Sequence, residues 1–323
     1  LVTGELDCVA EDLKAVEQVL AHQALSDLPL VHDVCDHVRR AGGKRLRPAL
    51  VLLFARALGC HTDEPVWAAA AVEMVHAATL MHDDVVDLAD SRRGQQTAVS
   101  LWGPCPAVMG GNILLAKSFG SLVDRGQIDV LQLLSATALT MCRGEILQNA
   151  NCGSIGLARA TYLEIIRSKT AEFLSACCRI GAMLANAKAL EAPAANYGLE
   201  LGLAFQIIDD LLDYVGEPAV TGKPVGGDLR EGKVTLPLIV ALETAPAADV
   251  AELKRLATRG EHLTPDEFRR VLGLLQACGA IDSARCIANE HARNAARQLD
   301  DMPPSAHRDA LLALASKLVY RQS

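Results

Sequence analysis

Aromatic side chains are scarce in this chain: five Phe, four Tyr and two Trp make up 3% of 323 residues. Regularly spaced cysteines are absent too. The ten cysteines contain no CxxC pair, and only Cys177 and Cys178 are adjacent. This is no disulfide framework; it points to buried or free thiols in a reducing compartment, and a cytoplasmic location is expected. No uninterrupted apolar run reaches the roughly 18 residues that mark a membrane span. Pro48–Cys60 comes closest, and Arg56 interrupts it. A soluble protein with no transmembrane segment is expected, with peripheral membrane contact left open. Leu1–Asp12 is acidic and lacks the basic stretch and apolar core of a secretory leader, and no initiating Met is present, so a trimmed chain without a leader is expected. Positive charge is in deficit: the net charge of −8 argues against nucleic-acid binding. No solenoid-type repeat and no linker stand out, so a single domain over residues 1–323 is expected. Half the residues are hydrophobic, Ala and Leu dominate, and β-branched runs are short. These features predict an all-α protein with a large core.

Against this background two acidic stretches stand out. Leu80–Asp87 reads Leu-Met-His-Asp-Asp-Val-Val-Asp, with Asp83 and Asp87 four residues apart and Asp84 between them. On a helix Asp83 and Asp87 share one face. Carboxylates this close repel one another unless a cation neutralises them. The pattern returns at Asp209, Asp210 and Asp213, within Phe205-Gln-Ile-Ile-Asp-Asp-Leu-Leu-Asp-Tyr. Two such clusters in apolar helices predict two carboxylate walls facing a shared site. Oxygen-only ligands of this kind suit a hard cation such as Mg2+, which takes one or two carboxylates and the phosphates of a substrate.

The predicted helices are Glu5–Leu25, Ala49–Leu58, Pro65–Asp90, Ala107–Leu122, Ile128–Leu147, Leu157–Leu190 and Ala194–Val215. Trp102–Pro106 and Gly216–Gly232 are predicted loops, and Thr235–Ser323 is predicted to hold four or five short helices. Before the second of these helices, Gly42-Gly43-Lys44-Arg45-Leu46-Arg47-Pro48 sets three cations beside a glycine turn. It reads equally as a solvated basic turn or as an anion cradle. His76 lies seven residues before Asp83, on the same helix face, where a satisfied core histidine and a substrate contact are both open. Arg92 and Arg93 follow the first cluster, as surface counter-charges or as groups reaching an anion. Gly144, Glu145 and Gln148 put polarity inside an apolar helix, for a buried hydrogen bond or a place at a site rim. Lys169, beside Thr170 in an apolar helix, needs an anion or a path to water. Lys223 and Lys233 lie in the irregular stretch after the second cluster, which resembles a lid over a charged ligand.

Gly-Gly-Lys-Arg-x-Arg-Pro, Asp-Asp-x-x-Asp with Arg-Arg-Gly, Lys-Thr, Gln-x-x-Asp-Asp-x-x-Asp and Gly-Lys…Lys occur here in order, from about Ala41 to Pro237. This ordered set resembles the trans-polyprenyl diphosphate synthases, the head-to-tail isoprenyl diphosphate synthases. The resemblance implies an isoprenoid-synthase-type helical bundle around a deep central cavity, usually a homodimer. It implies elongation of an allylic diphosphate with isopentenyl diphosphate, with Mg2+. By motif position Asp83, Asp87 and Asp209 would ligate metal, and Asp84, Asp210 and Asp213 would support them. Arg92, Lys169 and Lys223 would hold the allylic diphosphate. Lys44, Arg47, His76 and Arg93 would hold isopentenyl diphosphate. Thr170 and Gln206 would line the reacting centre, and Lys233 would belong to the closing loop. Gly111-Asn112 departs from the family's usual Gly-Asp.

The product tail is expected to pass Ala78 and Thr79, one turn (about 5.4 Å) before Asp83. Both are small where short-chain members of the family carry bulky aromatics, and His-Ala-Ala-Thr-Leu resembles the long-chain members. A product of about eight to ten isoprene units is expected on that resemblance, with product length limited by side-chain bulk at this floor. Two other readings compete. A class I terpene cyclase guides a travelling cation with aromatic faces, and this chain has few. A regulatory or non-catalytic subunit of a hetero-oligomeric synthase is expected to lose aspartates, and both clusters are intact here.

Overall fold

The computed structural model describes residues 4–92, 94–216 and 225–319. These residues are helical almost throughout, in agreement with the all-α expectation. The one sheet among them is a pair of two-residue strands, β1 (Ser91–Arg92) and β2 (Gln95–Gln96), antiparallel with Ser91 opposite Gln96. By contact density the chain divides into two compact units. One comprises residues 1–138, 176–195 and 301–313; the other comprises 139–175, 196–300 and 314–323.

The first unit holds α1 (Ala10–Ala24), α2 (Pro29–Arg40), α3 (Leu46–Ala57), α4 (Glu64–Val86), α5 (Ala98–Trp102) and α6 (Pro104–Asp124). Its core is α3 and α4. Ala49–Ala55 and Ala68–Ala71 have no exposed surface. Alanine is the best helix former and keeps the helix slim, so neighbours approach closely. The approach of α6 is the tightest: a Cβ on Gly111 would stand 2.5 Å from His82 Nε2, and one on Gly110 would stand 2.7 Å from Met81 Cε. Only residues without a side chain fit there, and they fix the end of α4 that carries Asp83 and Asp84.

Several predicted boundaries move: α1 starts at Ala10 rather than Glu5, α4 ends at Val86 rather than Asp90, and two further shifts share a cause. α3 begins at Leu46, not beyond Pro48, with Arg45 as its left-handed N-cap. Residues 102–106 are not a loop. Gly103 (φ 84°) alone separates α5 from α6, and Pro104 opens α6. The reason is the same in both. The first N–H groups of a helix have no intrahelical partner, so Pro48, Pro104 and Pro106 lose nothing in a first turn.

The second unit is built around a hydrophobic core that the helix Leu236–Thr244 shares with Ile207, Leu211, Tyr214, Val271 and Leu275. The Tyr214 and Phe268 rings stack at 6.3 Å. The predicted Leu157–Leu190 helix is in fact three pieces: α8 (Arg159–Ile166), a π-helical turn Arg167–Ala171, and α9 (Glu172–Leu184), with a separate 3-10 turn at Lys188–Leu190. A π turn inserts a residue and re-aims the side chains it carries, here Lys169 and Thr170. α10 (Glu191–Val215) crosses against it so closely that a Cβ on Gly202 would meet Ala171 Cα at 2.5 Å. Beyond Thr235 five helices follow, Leu236–Thr244, Ala247–Ala257, Pro265–Ala277, Ala280–Arg297 and Ala306–Val319. They separate near Gly260, Gly279 and Pro303-Pro304, as read from the sequence.

α7 (Ile128–Ala150) qualifies the expectation of no membrane-length segment. Among the described residues it alone, taken singly, is long and apolar enough to cross a membrane, with a mean hydropathy of 1.2 and 28% of that stretch buried. The sequence reading sought an unbroken apolar run, and α7 reaches the length with polar residues interspersed. It carries Arg143, Glu145 and Gln148.

Candidate active site

Both aspartate clusters lie at the C-terminal ends of their helices. Asp83 and Asp84 are in the last turn of α4, and Asp87 is its C-cap. Asp209, Asp210 and Asp213 fall within the last two turns of α10. Carboxylates there meet both one another and the negative pole of the helix dipole, at about 0.3–1 kcal/mol each when exposed. Each cluster thus breaks local preference in the same way, and an external cation would relieve it.

In the first unit Asp84 is buried, 6% exposed, and accepts a 2.7 Å bond from Arg92 Nε. Asp83 is half-buried and Asp87 exposed. The hairpin that carries Arg92 is tied down from both ends. His37 Nε2 lies 2.8 Å from the Gln96 carbonyl, and Thr97 Oγ1 donates to the Ala89 carbonyl at 2.6 Å. At the basic turn Lys44 is exposed, and Arg47 Nη1 meets His76 Nε2 at 3.2 Å. His76 is thus joined to the basic turn. Ala78 is buried, and Thr79 donates to the His76 carbonyl at 2.8 Å. Asn112 is exposed on α6. Arg93 lies outside the described residues.

In the second unit the π turn and α10 share a chain of hydrogen bonds. Thr170 Oγ1 donates to Gln206 Oε1 (2.8 Å), and Gln206 Nε2 donates to Asp210 Oδ1 (2.8 Å). The Tyr162 hydroxyl donates to Asp210 Oδ2 at 2.6 Å. Lys169 Nζ pairs with Glu145 Oε2 at 2.6 Å. The backbone of this turn runs so near α7 that a Cβ on Gly144 would stand 2.8 Å from Lys169 N. Thus Gly144 admits the turn, and Glu145 and Gln148 meet it. A cavity of about 130 Å³ is lined by Gln148, Lys169, Thr170, Gln206, Asp210 and Lys233, among others. Lys233 Nζ pairs with Glu231 Oε2 at 2.6 Å. Lys223 lies outside the described residues.

The remaining acids of this unit are held by backbone and by burial. Asp213 Oδ1 accepts from Gly227 N (3.0 Å) and Oδ2 from Asp228 N (3.1 Å), so it caps the short helix Gly227–Arg230. Burial pushes the Asp210 carboxyl up to about 7, against the pull of Tyr162 and Gln206, with Asp209 and Asp213 adding to the rise. Burial raises Asp213 as well, and it lifts Asp228 well above the usual carboxylate range, with Asp210 and Asp213 adding to it. Arg230 pulls Asp213 back and Lys233 pulls Asp228 back, and burial outweighs both.

Three residues here escaped the sequence reading: Tyr162, Asp228 and, in the first unit, the buried Glu73. Tyr162 sits two turns before Lys169, and Glu73 interrupts an alanine-rich helix three residues before His76. Asp228 follows a Gly-Gly pair in the irregular stretch, a pattern that marks a turn and gives the acid no role of its own.

The donor set fits a divalent ion of the Mg2+ kind. It is all carboxylate, and among the described residues no three His, Cys, Asp or Glu side chains converge into a ready cage. An ion that keeps much of its shell as water and substrate phosphate needs no such cage.

An all-helical enzyme with two aspartate-ended helices, a cation-lined cavity and a separate basic turn is the class that this geometry defines. The polyprenyl synthetase family pattern matches residues 28–274, and the chain belongs to that family: it is a prenyl chain-elongating enzyme. The chain is 36% identical to octaprenyl diphosphate synthase of Escherichia coli over 319 residues, covering 98% of this chain and 97% of the relative. It is 34% identical to heptaprenyl diphosphate synthase component 2 of Geobacillus stearothermophilus, covering 95% of each. Its fold matches polyprenyl synthase of Caulobacter crescentus, solved with calcium and isoprenyl diphosphate, with a TM-score of 0.93, 37% identity, and coverage of 100% of this chain and 98% of that one.

Proposed function

We propose that the two aspartate-ended helices serve one allylic diphosphate through Mg2+, and that the chain extends it with isopentenyl diphosphate to a long all-trans product. Asp83, Asp87 and Asp209 would hold the metal, supported by Asp84, Asp210 and Asp213. When bound, Mg2+ stabilises the charge that develops on a departing diphosphate. Lys169, Arg92 and Lys223 hold that same diphosphate, and Thr170 and Gln206 line the reacting carbon. Lys44, Arg47, His76 and Arg93 hold isopentenyl diphosphate. That substrate must keep its carbon–oxygen bond, so a pocket of lysine and arginine without metal is its natural complement. The departing diphosphate takes the final proton; a His or Glu seated on the condensing carbon in a substrate complex would contradict this. The observation that carries the reading is the cavity where Lys169, Thr170, Gln206 and Asp210 meet.

Residues 1–323 act as one working unit in this reading, and a second copy pairs with it. An exposed apolar stripe on α7, Ile128, Leu139 and Ile146, supports a homodimer. Ten free cysteines support a reducing, cytoplasmic setting.

The test is the purified chain alone with Mg2+, an allylic primer and labelled isopentenyl diphosphate. Elongated product of about eight to ten isoprene units is expected, the length that small residues at the tunnel floor allow. A cyclic hydrocarbon, or silence until a partner protein is added, would overturn it. Ala78→Phe should shorten the product by several units, because on this reading the product tail passes the buried Ala78 and an aromatic ring there would block it. Unchanged product length would remove Ala78 and Thr79 from the floor.

A further inference from the structure

Arg45 is the cation of the basic turn with no substrate contact assigned to it, and its environment gives it a different task. Its backbone is left-handed (φ 48°, ψ 32°), a region that residues other than glycine rarely enter. Its guanidinium is gripped at three points. Nε donates to Glu17 Oε1 at 2.5 Å, Nη1 to Glu73 Oε1 at 2.5 Å, and Nη2 to the Arg39 carbonyl at 3.2 Å. Glu73 is buried, 6% exposed, in the middle of α4. It stands one turn before His76, the histidine that meets Arg47. The same turn is therefore fastened to the same helix twice, by Arg45–Glu73 and by Arg47–His76. A strained backbone persists only where its surroundings over-determine it, and here two carboxylates and a carbonyl do so. Those two carboxylates more than offset the single charge of Arg45, which leaves geometry as its contribution.

We infer that Arg45, with Glu73 and Glu17, is a positioning residue that holds the left-handed turn so that Lys44 and Arg47 meet the diphosphate of the substrate that does not ionise. Arg45 itself does not touch that diphosphate. The inference rests on the proposed reading that Lys44, Arg47 and His76 hold isopentenyl diphosphate.

The test compares KM for each substrate in Glu73→Gln, Glu17→Gln and Arg47→Gln, with thermal unfolding to establish that each variant is folded. Glu73→Gln should raise KM for isopentenyl diphosphate about tenfold, the scale on which loss of an orienting partner weakens a site. Glu17→Gln, at a partly exposed pair, should raise it about threefold. KM for the allylic primer should stay within about twofold in both, because a local loosening acts on the pocket it supports. The sign decides the matter. Were Arg45 a direct ligand, removing its carboxylate partners would turn its charge toward the anion and lower KM. A folded Glu73→Gln enzyme with unchanged or lowered KM for isopentenyl diphosphate overturns the inference. Should that variant not fold, Glu17→Gln decides by the same criterion. Arg47→Gln separates the two levels: if it raises KM for isopentenyl diphosphate while the Glu→Gln variants do not, the positioning claim alone fails. If it raises KM only for the allylic primer, the substrate assignment fails and the positioning claim with it.

Discussion

Asp84 and Asp210 occupy matching places in the two acidic clusters, each 6% exposed, yet they are answered differently. Asp84 faces a full cation, Arg92 at 2.7 Å. Among the described residues Asp210 accepts from two neutral donors, the Tyr162 hydroxyl and the Gln206 amide. One buried carboxylate is paired with a cation, and the other is held by neutral hydrogen bonds. Burial then pushes Asp210 up to about 7. Within the first cluster Asp84 already has its cation, and Asp210 of the second has none among the bonds described for it.

The comparison can be broken in order of expected effect. Asp83→Asn and Asp209→Asn should each lower kcat about a thousandfold, because several kcal/mol of leaving-group stabilisation go with a metal ligand. Steady-state kinetics at saturating Mg2+ measure it, and a loss below tenfold in either would remove that residue from the metal's shell. Tyr162→Phe should lower kcat about tenfold and raise the Mg2+ concentration needed for half-maximal rate, since it removes one of two donors orienting Asp210. An unaltered Mg2+ dependence would reduce Tyr162 to a packing residue.

The smallest effect is one of stability. A carboxyl raised from near 4 to about 7 binds its proton more tightly folded than unfolded. Its contribution is fully present below pH 4 and is lost as pH rises through about 7. The metal-free protein should therefore lose a few degrees of Tm between about pH 5 and 7 from this group, where roughly 1 kcal/mol moves Tm by about 1.5 °C in a chain of 323 residues. Asp210→Asn should flatten that slope, and Mg2+ with a diphosphate should reverse it. An equal slope in the variant would sever the link between burial at Asp210 and its want of charge.

Much of this was legible before the coordinates. The helical class follows from alanine, leucine and periodicity. Both acidic clusters were legible because three carboxylates at an apolar helix end violate local preference. What escaped depended on distant contacts. The break at Arg167–Ala171 is invisible to periodicity, because a π turn interrupts an apolar pattern without a glycine or proline to mark it. It forms where Gly144 and Gly202 admit a close backbone. Pro104 and Pro106 read as loop residues, yet both sit in a first turn where no N–H is needed. Tyr162 and Glu73 look like ordinary core and surface residues. Only their partners, Asp210 and Arg45, show what they hold.

The account turns on both aspartate-ended helices serving one diphosphate, and Mn2+ binding reports on that directly. Mn2+ would be titrated by electron paramagnetic resonance with and without an unreactive allylic diphosphate analogue, in wild type, Asp83→Asn, Asp209→Asn and the double variant. A shared ligand predicts that either single substitution abolishes analogue-dependent Mn2+ binding and that the double variant is no worse. Two independent sites, each losing its own Mn2+ with additive effects, would contradict it.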